Sequence, residues 1–225
     1  MFSLETKTET SPYKRCAVVA FSCLVLACST PAQDDGSACD TPRYLLLMGG
    51  SAASVGERPN SPINGQPTRV YEGDPLEWSH YKVTTLSCDS GMDPAIEAHA
   101  GLVAGVFLGG RQDNTEADLV PEGCNDPVYL LGVNTVSDDE QYSIYATALS
   151  ESKIAQRHGF KRLFGRTPNP LLAGRWPDNT TATLSVWPCA EAFDAMYHSD
   201  WYQNDILPLR KDSARYRLMT FEPGS

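Results

Sequence analysis

The chain has 225 residues, a formal net charge of −10, 41% hydrophobic residues and 9% aromatic residues. This composition suits a packed core and excludes a disordered chain. The acidic balance, with no Lys/Arg cluster to offset it, excludes nucleic acid as a partner, because phosphate binding needs a basic surface.

Residues 1–27 read as a targeting segment. Lys14 and Arg15 precede an apolar run over 16–27, too short to span a bilayer and of the length of a secretory apolar region. The run ends in V-L-A-C at 25–28, which resembles a bacterial lipobox. The resemblance implies cleavage before Cys28 and a diacylglycerol on its thiol, a lipid anchor to the membrane. Ser29 stands where Asp would favour the inner membrane, which implies the periplasmic face of the outer membrane. A plain signal peptide cut nearby is the competing reading. Residues 28–38 are polar without an apolar period and read as a flexible tether.

The remainder looks like one small unit written twice. Residues 39–46 read CDTPRYLL and residues 124–131 read CNDPVYLL. Gly73 precedes Cys88 by 15 residues, and Gly174 precedes Cys189 by 15. The first copy, 39–122, opens with a strand over 43–49. Residues 52–67 are too rich in Pro, Gly and Asn for a helix, so a loop is expected there. Strands follow over 68–72 and 80–87. A helix is expected over 93–100, capped by Asp93 with Pro94 at its first position. Residues 102–110 fit either a continuation of that helix or a last strand. Residues 112–123 form an acidic linker.

The second copy, 123–225, is clearer. Residues 128–136 (VYLLGVNTV) form a strand by their β-branched and apolar run. A helix follows over 140–156, with the acidic pair Asp138 and Asp139 at its start and Gly159 after its end. Residues 160–166 alternate as a strand, 168–170 turn, and 171–176 extend that strand. Residues 180–187 form a third strand, 190–204 a second helix and 215–221 a last strand. The order β-α-β-β-α-β is the ferredoxin-like plan, an α+β fold with strand one beside strand three, antiparallel. Two tandem ferredoxin-like units would form a pseudo-dimeric α/β barrel within one chain. Sheet packing between chains is also a route to oligomers.

With Cys28 acylated, four cysteines remain beyond the targeting segment, and an exported chain suggests disulfides. In each copy one cysteine precedes the first strand and the other follows the third. Antiparallel neighbours bring those ends together, which selects Cys39–Cys88 and Cys124–Cys189. No C-x-x-C occurs and the four histidines show no ligand spacing, so no metal is expected, and no cofactor motif stands out.

Gly174, Trp176, Pro177, Trp187, Phe193, Tyr197, Ser199, Tyr202, Gln203, Pro208, Leu209 and Arg210 carry a resemblance. Residues 123–222 resemble the bacterial family of domains of unknown function numbered thirteen-thirty, within the dimeric α/β-barrel superfamily. The first copy resembles it only through Y-E-G-D at 71–74. The superfamily also contains cofactor-free monooxygenases, isomerases and haem enzymes; the family itself implies shape rather than a reaction.

The ligand-binding candidates are His158, Arg162, Trp176, Tyr197, His198, Ser199, Tyr202 and Arg210. His198 and Tyr202 lie four apart, on one face of the expected helix. A His beside Tyr and Arg could move a proton or bind an anion. The competing reading is packing, with the tyrosines in the core and Ser199 bonding locally. Two functions follow: a tethered module for small-ligand binding or for interaction with a partner, or a cofactor-independent enzyme, monooxygenase- or isomerase-like, using His198, Tyr202 and Arg210 on a small organic acid or aromatic.

Overall fold

Alternate positions of the strands supply two antiparallel sheets with a shared apolar face. The computed structural model describes residues 41–51, 61–73, 78–86, 101–110 and 117–223. The expected lipid anchor at Cys28, the expected tether, the expected Cys39–Cys88 pairing and the helix expected over 93–100 lie outside the described residues. The result is a mixed α+β fold.

The first half supplies β1 (Arg43–Gly49), β2 (Ile63–Gly65), β3 (Arg69–Glu72), β4 (His80–Leu86) and β5 (Val103–Leu108). The second supplies β6 (Val128–Val136), β7 (Lys161–Arg166), β8 (Leu171–Ala173), β9 (Thr180–Trp187) and β10 (Ala214–Phe221). Sheet one has the order β2-β4-β1-β5-β8, and sheet two the order β3-β10-β6-β9-β7. Leu46, Met48, Val83 and Phe107 of sheet one meet Leu131, Val133, Leu184 and Met219 of sheet two in one buried core. Phe107 stacks on Phe164 across it at 4.4 Å, a geometry worth about 0.5–1.5 kcal/mol beyond buried area.

Each sheet takes its edge strand from the other half. β3 leaves the first half and pairs with β10, with Leu218 opposite Glu72. β8 leaves the second half and pairs with β5, with Ala104 opposite Ala173. Residues 171–176 therefore do not extend β7, as the sequence led us to expect. The chain crosses at Asn169, whose N–H donates to Val106 O at 2.6 Å, while Val106 N–H donates back to Pro170 O at 2.9 Å. Gly105 admits this approach: a Cβ there would lie 2.4 Å from Pro168 Cβ. Gly73 and Gly174 end the two crossing strands with φ of +83° and +73°. A Cβ would lie 2.6 Å from Tyr216 O at the first and 2.2 Å from Leu102 O at the second. Both positions thus need glycine for conformation and for space.

Other differences are local. The stretch 102–110 contains strand β5 rather than a helix, and its Val103, Ala104, Val106 and Phe107 are buried. The stretch read as a loop contains β2, because Ile63 is fully buried in the inter-sheet core. The helix expected over 140–156 is two: α1 (Asp139–Ser152) and α2 (Ile154–Arg157), divided at Lys153 with φ of 53°. Asp138 caps α1, accepting from Gln141 N–H at 3.0 Å. The helix expected over 190–204 stops earlier, as α3 (Ala190–Tyr197). Ser199 Oγ donates to Met196 O at 2.8 Å and accepts from Tyr202 N–H at 3.2 Å, ending one helix and starting the next turn. A π-helical turn (Tyr202–Ile206) leads into α4 (Leu207–Ser213), with Pro208 in its first turn. The Cys124–Cys189 disulfide is present, with a Cα–Cα distance of 5.2 Å. It closes the end of the β6–β9 pair, where Val128 faces Trp187.

Candidate functional site

The helices cover the outer face of sheet two incompletely, and the gap is a cavity of about 170 Å³. Its floor comes from β6, β9 and β10, where Leu130, Gly132, Asn134, Ser185 and Leu218 face outward. Its roof is α1 and α2, and its side wall is α3, the π-helical turn and α4. Gly132 makes the floor. It sits mid-strand, where glycine weakens a sheet, and a Cβ added there would meet nothing closer than Leu218 Cδ1 at 3.5 Å. Space, not sterics, is what this glycine supplies.

The lining is aromatic with a few polar atoms aimed inward. Tyr142, Tyr145, Phe160, Trp187, Phe193, Tyr202 and Tyr216 form most of the wall. Asn134 Oδ1, Gln156 Oε1, Arg210 Nε and the Tyr216 hydroxyl are buried with no hydrogen-bond partner among the described residues, and all four residues line this cavity. Tyr145 lies edge-on to Tyr216 with ring centroids 5.7 Å apart; the two phenols influence each other's ionisation, but the Tyr216 hydroxyl reaches no hydrogen-bond geometry. An unsatisfied buried polar group costs on the order of 1–3 kcal/mol, so four around one void point to something that fills it.

Arg210 is the charged centre of the wall, with 1% of its side chain exposed. Nη1 donates to the Tyr202 hydroxyl, and Nη2 forms an ion pair with Glu72 Oε1. The same Glu72 oxygen accepts from the Tyr197 hydroxyl. The guanidinium also stacks 4.4 Å over the Tyr216 ring. Burial pulls the Arg210 pKa down to about 10, so it stays charged at neutral pH. Burial also pushes the Tyr145, Tyr202 and Tyr216 phenols well above their ordinary range. β3 is pinned a second time on α3. Asp194 accepts from the Tyr71 hydroxyl at 2.8 Å and from Arg69 Nη1 at 2.9 Å.

Of the residues singled out from sequence, Arg162, Tyr202 and Arg210 line the cavity. Arg162 is exposed and makes no ion pair among the described residues, which puts it at the cavity's rim. Tyr197 stands behind Arg210 through Glu72. His198 is exposed at the end of α3, so it does not share the buried face that holds Tyr202. Ser199 bonds locally. Trp176 packs on Phe107 at 5.8 Å and donates from Nε1 to Thr180 O at 2.6 Å, away from the cavity. His158 is 7% exposed at the end of α2, and burial lowers its pKa; it does not line the cavity. Sequence reasoning missed Glu72, Asn134, Gln156 and Tyr216. The available signals were Glu72 within Y-E-G-D and Gly132 and Asn134 inside an otherwise apolar strand.

The Tyr197, Ser199, Tyr202 and Arg210 block therefore builds one wall of a cavity, on the scaffold of β6 to β10. Residues 127–223 match the family model described as "Domain of unknown function (DUF1330)". Among solved structures, a match is the crystal structure of a "putative monooxygenase" from Lactobacillus acidophilus NCFM, 12% identical, with a TM-score of 0.43, covering 80% of this chain and 93% of that one. No curated protein matches. The region matching DUF1330 contains the whole cavity lining, whereas Glu72, which holds its buried arginine, comes from outside that match.

Proposed function

We propose that this protein is a lipid-anchored, periplasm-facing module of the outer membrane that binds a small, partly polar aromatic molecule in the cavity of its second half. The observation that carries the binding reading is the set of four unpartnered buried polar atoms around one cavity of about 170 Å³. A void of roughly 150 Å³ is the scale that admits a benzene ring. The open floor at Gly132 agrees.

The globular part is read as two ferredoxin-like units in tandem forming a pseudo-dimeric barrel. The reciprocal edge strands and the paired glycines at 73 and 174 support this. The order β10-β6-β9-β7 has its counterpart in β5-β1-β4-β2. The lipobox-like V-L-A-C supports the anchor, and loss of lipid labelling in Cys28→Ala tests it.

Binding is favoured over turnover by the lining. Among the described residues it contains no carboxylate, imidazole or thiol, and three of its tyrosines are held protonated by burial. No lining group is thus poised to take a proton near neutral pH. The enzyme reading required His198 beside Tyr202 and Arg210, and His198 faces solvent.

The test is thermal denaturation with phenol, benzoate and indole. A ligand that binds only the folded state raises Tm with concentration. At least one probe is expected to raise the Tm of the wild type and none that of Gly132→Leu, whose side chain fills the void. No shift with any probe on the wild type contradicts the proposal.

A further inference from the structure

The polar atoms of the cavity are not scattered, and their arrangement reads as a ligand in outline. Strand register and helix direction divide them between two ends. Asn134 lies opposite Tyr216 on β10, and α4, which carries Arg210, runs directly into that strand. Asn134 Oδ1, the Tyr216 hydroxyl and Arg210 Nε therefore share one end. α1 starts beside the end of β6 and runs 14 residues back along the strand before α2 begins, roughly 20 Å at 1.5 Å per residue. Gln156 therefore lies toward the opposite end, where the backbone of Arg162 pairs with Ser185 and Leu130 pairs with Ser185 in turn, and the Arg162 side chain leans from there along β7, its Cδ 3.7 Å from where a Cβ on Gly165 would stand.

The two ends ask for different chemistry. At the inner end a buried donor, Arg210 Nε, and a buried acceptor, Asn134 Oδ1, both lack a partner among the described residues. One hydroxyl group satisfies both, accepting from the first and donating to the second. At the outer end an exposed guanidinium without an ion pair among the described residues stands at the rim. It suits a carboxylate, which it can hold through two parallel hydrogen bonds. Between the ends are aromatic rings and the bare backbone of Gly132.

We infer that the ligand is a hydroxyaryl carboxylate, its hydroxyl inserted between Arg210 and Asn134 and its carboxylate facing Arg162. The inference rests on the cavity being a ligand site, as proposed above. It makes Asn134 and Arg162 the residues that set specificity, at opposite ends of one ring.

Titration calorimetry with 4-hydroxybenzoate, benzoate and phenol tests this on the wild type, Asn134→Leu and Arg162→Gln. On the wild type 4-hydroxybenzoate should bind on the order of tenfold more tightly than either simpler probe, the value of one well-made polar contact. Asn134→Leu should erase the advantage over benzoate and keep that over phenol, and Arg162→Gln should do the reverse. Equal affinities on the wild type, or preferences that survive both substitutions, overturn the assignment while leaving the cavity a ligand site. If Asn134→Leu does not fold, the ranking of the three probes on the wild type decides alone. If none of the three binds, the assignment falls; if indole also fails, the ligand-site reading falls with it.

Discussion

Glu72→Ala removes the carboxylate that Arg210 and Tyr197 share. Arg210 has 1% of its side chain exposed and Glu72 has 18%, so the guanidinium cannot turn to water when its partner goes. Breaking a buried ion pair by deleting one member costs about 3–5 kcal/mol, because the surviving charge stays buried and uncompensated. Glu72 is partly hydrated, which places the change toward the low end, near 3 kcal/mol. The orphaned hydroxyl of Tyr197, a buried residue, contributes on the order of 1 kcal/mol more. Burial draws the Arg210 pKa down to about 10, so its charge depends on the groups around it. Urea unfolding of Glu72→Ala should show a loss of about 3–4 kcal/mol with unchanged slope. The double variant Glu72→Leu/Arg210→Met should recover most of it, since apolar replacement of a whole buried pair is close to neutral. A single-variant loss below about 1 kcal/mol, or a double variant no better than the single, would refute the reasoning that this pair couples the exchanged strand to the cavity wall.

Three further outcomes follow from the same structure. Cys124 and Cys189 close a loop of 65 residues in sequence separation; Cys124→Ser/Cys189→Ser should lower unfolding free energy by about 4 kcal/mol in the chain-entropy model, measured by urea titration under oxidising conditions. Tyr145, Tyr202 and Tyr216 have folded pKa values raised by burial, so the folded state keeps protons that the unfolded chain loses near pH 10. Their contribution is complete below pH 10 and falls above it, by about 1.4 kcal/mol per phenol per pH unit. Arg210, with its folded pKa lowered to about 10, works in the opposite direction and offsets about one phenol. Urea midpoints at pH 9, 10 and 11 should therefore fall steeply above pH 10, and a flat profile would contradict the burial of these rings. Gly132→Ala should raise stability by about 0.5–1 kcal/mol, since its new Cβ makes only ordinary contacts and alanine loses less backbone freedom on folding; a loss would show that the floor is tighter than described.

The sequence was most legible where local patterns and tertiary demands coincide. Strands β6 and β9 appear with the bounds expected from their apolar, β-branched runs. The Cys124–Cys189 pair followed from placing two strands side by side. It was least legible where tertiary contact overrides a local pattern. Residues 171–173 have nothing in their composition to say that they cross to the other sheet; Gly105 and the Asn169–Val106 hydrogen bonds decide it. Tyr197 and His198 differ by one residue, about 100° around a helix, and that rotation separates a phenol inside the wall from an imidazole in water. Glu72 was hidden because its partner lies 138 residues away, in the other half. Gly132 was visible as a glycine inside an apolar strand, the pattern that accompanies a close approach of a ligand.

Whether the cavity holds an aromatic ligand is decided by a high-resolution crystal structure of the protein soaked with phenol. A ring is expected over Gly132, with its oxygen within hydrogen-bond distance of Arg210 Nε and Asn134 Oδ1. A chain of ordered waters joining Asn134, Gln156, Arg210 and Tyr216, unmoved by phenol, would contradict it.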